Sequence, residues 1–150
     1  MNIENQVLGL TRLSNYIKDF LAKNEADYNQ DDADFELLLQ KSKVENQWFT
    51  IESQKFALQQ WTDLLTEENI KNWISNYSIS KISKRVGLIL AGNIPLVGLH
   101  DVISVVLSNH IPVIKLSSKD RYMIPFLLRK WNEFSEGSVE FEFVEKLENF

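Results

Sequence analysis

The stretch 84–120, KRVGLILAGNIPLVGLHDVISVVLSNHIPVIKLSSKD, constrains the fold more than any other part of the chain. Two short apolar runs, 86–91 and 111–116, flank a longer apolar segment over 96–107. Gly92-Asn93-Ile94-Pro95 and Ser108-Asn109-His110 break the chain between them. Short apolar runs bounded by turn formers read as buried strands, and the longer segment reads as a helix. Strand, helix and strand in that order specify a parallel pair. Polar residues gather after each strand, on the carboxyl edge where open parallel sheets bind ligands.

The pattern continues downstream. Strands are predicted over 85–91, 111–116 and 139–144, the last from its alternating phenylalanines and glutamates. A helix over 95–109 starts favourably at Pro95 and is apolar nearly all round, so it needs cover on both sides. A helix over 119–134, capped by Ser118, contains Pro125, which predicts a kink or an early break.

Upstream the chain is helical. Apolar residues at three- and four-residue spacing mark a helix over 5–22. An acidic loop over 23–34 feeds a second helix over 35–40. Asp31-Asp32-Ala33-Asp34 lacks the spaced ligands and turn glycine of a calcium loop, so these acids read as solvated or as helix-start acids. Thr50 caps a helix over 51–65 and Thr66 caps one over 67–77. Ile70, Trp73, Ile74 and Tyr77 form the buried face of the latter. Its aromatics fit either core packing or a ring-stacking site.

The expected fold class is therefore α/β: N-terminal helices followed by a βαβαβ parallel-sheet unit with right-handed crossovers. Residues 1–78 form a helical region, and 79–150 the first part of a Rossmann-like cofactor-binding domain. Three strands are few, and a parallel sheet needs helices on both faces. Either the N-terminal helices cover the open face or the natural protein continues past Phe150. The reading favours continuation.

Composition narrows the function. A net charge of -5 gives no reason to expect nucleic acid or an anionic membrane as partner. The chain has no cysteine, which excludes disulfides, thiolate metal sites and a cysteine nucleophile within it. The start lacks a secretory signal pattern, and the longest apolar segment falls short of the roughly 20 residues that span a bilayer. A soluble cytoplasmic location follows as the expectation. An exposed sheet edge predicts self-association into a homo-oligomer.

The chain has neither GxGxxG nor GxxxxGK[ST], and the spacing of Gly92 and Gly98 fits no phosphate loop. His100 and Asp101 are adjacent, His110 sits in a turn, and no metal site is expected. Four residues remain. The Asn93 amide can hold an oxyanion, or it can satisfy the turn and cap the next helix. Lys115, ending an apolar strand, can reach ribose hydroxyls or a phosphate, or it can lay its stem on apolar surface. Ser117 and Ser118 at a helix start can hold a phosphate, or simply cap.

Two segments together, AGNIPL around Asn93 and KLSSKD from Lys115, resemble the acyl-CoA reductase family of the bioluminescence fatty-acid reductases, within the aldehyde dehydrogenase superfamily. The lead-in Trp48-Phe49-Thr50, Ala57-Leu58, Leu65-Thr66-Glu67-Glu68-Asn69-Ile70 and Trp73-Ile74 is similar too. The similarity covers residues 46–120 and fades before Asp34. It implies reduction of a fatty acyl thioester, from acyl-CoA or another donor, to an aldehyde with NADPH. It implies that Asn93 helps hold the oxyanion and that Lys115 reaches the adenosine ribose. Many aldehyde dehydrogenases carry an acid three residues after that lysine. Ser118 stands there in this chain, which removes a repulsion against a 2'-phosphate and fits NADPH. The family's cysteine is absent, so the chain reads as an N-terminal piece that does not turn over. The alternative is a non-catalytic binding or interaction module that retains half of the fold. An unrelated βαβ nucleotide binder would need a phosphate loop.

Overall fold

The computed structural model describes residues 2–150. Six α-helices and three strands follow in the order α1 (Ile3–Ala22), α2 (Gln30–Glu45), α3 (Ile51–Leu64), α4 (Glu67–Ser75), β1 (Arg85–Ile89), α5 (Leu99–Leu107), β2 (Ile111–Lys115), α6 (Met123–Phe134) and β3 (Glu142–Phe143). The molecule is mixed α/β and mostly helical. Its sheet is parallel throughout, ordered β1-β2-β3, with Arg85 opposite Ile111, Ile89 opposite Lys115 and Ile114 opposite Phe143.

Helix starts follow local chemistry where side-chain caps exist. The Thr50 hydroxyl accepts the Ser53 N–H at 3.0 Å, and the Thr66 hydroxyl accepts the Asn69 N–H at 3.1 Å. Each satisfies one donor that the first helical turn leaves unpaired. Helix α2 is longer than expected and begins within the acidic stretch. Asn29 and Asp32 form a reciprocal capping box, and Lys23 pairs with Asp32 at 2.8 Å. Asp31 and Asp32 are thus helix-start acids. The Lys23 hydrogen bond leads the causes that hold the Asp32 carboxyl below the ordinary carboxylate range.

Several boundaries differ from the expectation. Helix α5 begins at Leu99, not at 95, because Leu96 adopts a left-handed backbone with φ 63° that no helix continues. Helix α6 begins at Met123, so Ser118 caps nothing. The predicted kink at Pro125 is also corrected. Pro125 falls in the first turn, where its missing N–H has no helical acceptor anyway. Strand β3 shrinks to two residues, because Val139 is drawn into the core and donates its N–H to Asn132 in α6 at 3.0 Å. On α4 only Ile70 is buried and Trp73 and Ile74 are half-buried; Tyr77, expected on its buried face, lies beyond the helix and is exposed.

One core runs through both parts of the chain. Leu10, Leu13 and Ile17 of α1 and Leu58 of α3 share it with Leu99 and Ile103 of α5 and Leu127, Leu128 and Trp131 of α6. Helices α5 and α1 lie close together, and α1 packs along α6, where Gly9 admits Ser135. A methyl group on Gly9 would sit 2.9 Å from the Ser135 Cα. The N-terminal helices therefore stack outside the crossover helices. Against β1, Leu147 and Phe150 come within van der Waals reach of Gly87, and the Arg85 guanidinium sits 5.4 Å from the Phe150 ring. No described helix is long and apolar enough to cross a membrane.

Candidate functional site

Parallel pairing brings the ends of β1 and β2 side by side. Ile89 faces Lys115, and the Leu90 N–H donates to the Lys115 carbonyl at 3.0 Å. Two loops leave this edge, 90–98 toward α5 and 116–122 toward α6. They touch at Gly92, where a methyl group would lie 2.3 Å from the Ser117 Oγ and 2.8 Å from its Cβ. Only a residue without a Cβ allows that approach.

Asn46 locks both loops from the end of α2. Its side-chain amide is buried and donates to the Gly92 carbonyl at 3.2 Å and the Lys119 carbonyl at 3.3 Å. Its Oδ1 accepts the Trp48 N–H at 3.0 Å. Asp120 joins the loops a second time, because its Oδ2 accepts the Leu96 N–H at 3.4 Å. Asp120 is only 4% exposed, and its Oδ1 has no hydrogen-bond partner among the described residues. Burial pushes its pKa up to about 6, against the smaller opposing effect of the Leu96 bond.

The sequence-predicted residues fall on this edge. Asn93 is exposed, and its side chain makes no hydrogen bond to the described residues. It does not cap α5, whose N-cap is Gly98. Lys115 is half-buried and forms no ion pair among the described residues. Ser117 is half-buried and accepts the Lys119 N–H at 3.1 Å. Ser118 is exposed in a turn. The helix N-terminus expected behind Ser117 and Ser118 is corrected: α6 starts five residues beyond Ser118. Asn46, Trp48 and Asp120 also belong to this edge. Sequence reading passes over them because their partners lie far away in the chain.

A mainly apolar hollow of about 410 Å³ lies elsewhere, between α4 and α5, lined by Trp73, Ile74, Tyr77, His100, Ser104 and Leu107 among others. Its serine hydroxyls are engaged by the helix: Ser104 donates to the His100 carbonyl at 2.7 Å and Ser108 to the Ser104 carbonyl at 2.5 Å. A ligand site needs convergent polar groups that are free to turn toward the ligand. On the strand edge, the Asn93 and Lys115 side chains make no hydrogen bond or ion pair to the described residues. Among the described residues no group of three metal-ligating side chains lies together.

No family model, no curated protein and no solved structure matches the chain.

Proposed function

We propose that this chain supplies the cofactor side of an NADPH-dependent acyl-CoA reductase, with its sheet as part of an aldehyde-dehydrogenase-like fold. The observation that carries the reading is the placement of Asn93 and Lys115 on one edge of the sheet. Their motifs stand at or just beyond the ends of adjacent strands on one edge, and neither side chain has a partner among the described residues.

The residues present fit NADPH. Lys115 offers an ammonium to ribose hydroxyls or phosphate, and Ser118 adds a hydroxyl where a carboxylate would repel a 2'-phosphate. Asp120, the nearest acid on this loop, is buried and turned to Leu96. NADPH held there would supply a hydride for reduction of the acyl group. Asn93 donates its amide N–H to the thioester oxygen as negative charge develops there. One such donor contributes about 3 kcal/mol of barrier lowering. The attacking thiol comes from outside these 150 residues, which contain no cysteine.

Calorimetric titration of the chain with NADPH tests the reading. Binding is expected, and Lys115→Ala weakens it roughly tenfold through loss of a charged hydrogen bond. Unchanged affinity in Lys115→Ala overturns the assignment. With acyl-CoA and NADPH together the chain is expected to oxidise no cofactor above background, and turnover would refute the external thiol.

A further inference from the structure

Trp48 is 86% exposed, although tryptophan is highly buried on average. Its neighbours account for its position. The preceding Asn46 is 6% exposed, and its amide spends its bonds on Gly92, Lys119 and the Trp48 N–H. One amide group thus separates the Trp48 backbone from both loops of the carboxyl edge. Phe49, the next residue, is 1% exposed and anchors the other side of the turn. The turn is fixed from both sides while its indole remains in solvent. Lys119, exposed on the neighbouring loop, makes no ion pair among the described residues, so the same edge offers cationic charge. An exposed aromatic ring whose backbone lies one amide group from the Lys119 backbone, on an edge with two lysines that make no ion pair among the described residues, suits a planar base carrying phosphate.

We infer that Trp48 is a stacking platform for the purine ring of a nucleotide bound at this edge. The inference rests on the cofactor reading above. That reading places the adenosine ribose at Lys115 and Ser118, and the base joined to that ribose is adenine. The rigid turn lowers the ordering cost of stacking, because the backbone of Trp48 is already fixed.

The test uses the whole chain and adenosine 2',5'-bisphosphate, followed by tryptophan fluorescence and calorimetry, with nicotinamide mononucleotide as control. The bisphosphate is expected to quench wild-type emission and the mononucleotide to leave it unchanged. Trp48→Leu should abolish the quench and weaken binding roughly tenfold. Its thermal midpoint should stay at the wild-type value, since the side chain is in solvent. Lys115→Ala should weaken binding yet keep the full quench at saturation. If Trp48→Leu binds like wild type while Lys115→Ala is weakened, the platform is refuted and the cofactor reading stands. If wild type binds no bisphosphate, both fail. Quenching by the mononucleotide alone overturns the assignment to the purine.

Discussion

The Asp120 carboxylate accepts the backbone N–H of Leu96 at 3.4 Å, and Leu96 holds a left-handed φ of 63°. The bond fastens the β2–α6 loop to the β1–α5 loop three residues beyond Asn93. It also keeps a carboxyl group where water hardly reaches. Its second oxygen finds no donor among the described residues.

That burial makes stability depend on pH. Asp120 has a pKa raised from 3.8 to about 6 in the folded protein. Between those values the folded state binds more protons than the unfolded state, so stability falls as pH rises across the window. Above it the ionised group costs about 3 kcal/mol. Asp120→Asn should therefore raise the urea midpoint at pH 7.5, and the advantage should shrink toward pH 4. An advantage that is constant across pH would contradict the buried acid.

Asn46→Ala removes both ties between α2 and the edge loops and leaves two carbonyls and the Trp48 N–H without their partner. The expected loss is about 1–3 kcal/mol in chemical denaturation. Hydrogen exchange should speed up in the 90–98 and 116–122 loops before it changes in the core.

Gly92→Ala drives a methyl group into Ser117. The loops must part, at a cost of about 1–3 kcal/mol, and NADPH affinity should fall with it. Gly92→Ala together with Ser117→Gly should recover part of both losses, because the partner side chain is then gone.

Asn93→Ala distinguishes a reacting amide from a structural one. Its side chain makes no bond to the described residues, so the melting curve should shift by less than about 0.5 kcal/mol. NADPH affinity should be unchanged. In the reductase assembled with its thiol, turnover should drop by on the order of a hundredfold or more. A large stability loss would mark the residue as structural.

Trp131 is 1% exposed and donates its indole N–H to the Gln6 carbonyl at 2.8 Å, joining α6 to α1. Trp131→Ala should cost about 3–5 kcal/mol by urea titration, among the largest single losses in this fold.

The strands and the capped helices were legible because their causes are local. Apolar runs of strand length specified β1 and β2, and the hydroxyls of Thr50 and Thr66 reach N–H groups three residues on. Helix α2 was only half legible, since its capping box lies inside an acidic stretch that also reads as loop. The starts of α5 and α6 were misplaced because Pro95 and Ser118 carry helix-start chemistry that the tertiary structure does not use. The edge itself was legible only as two motifs, without the groups that join them.

By itself the sequence determined the order of helices and strands, the parallel pairing, the placement of Lys115 at the end of one strand and of Asn93 in the loop after the other, and the absence of a thiol. These follow from periodicity, turn chemistry and composition. Only the tertiary structure decided that Leu96 turns left-handed, that Asp120 is buried, and that Asn46 binds both loops and leaves Trp48 in solvent. Asp120 and Leu96 are 24 residues apart, and Asn46 reaches across 46 and 73 residues to Gly92 and Lys119. Hydrogen bonds over such separations form only once the core has brought the segments together, so no local pattern encodes them.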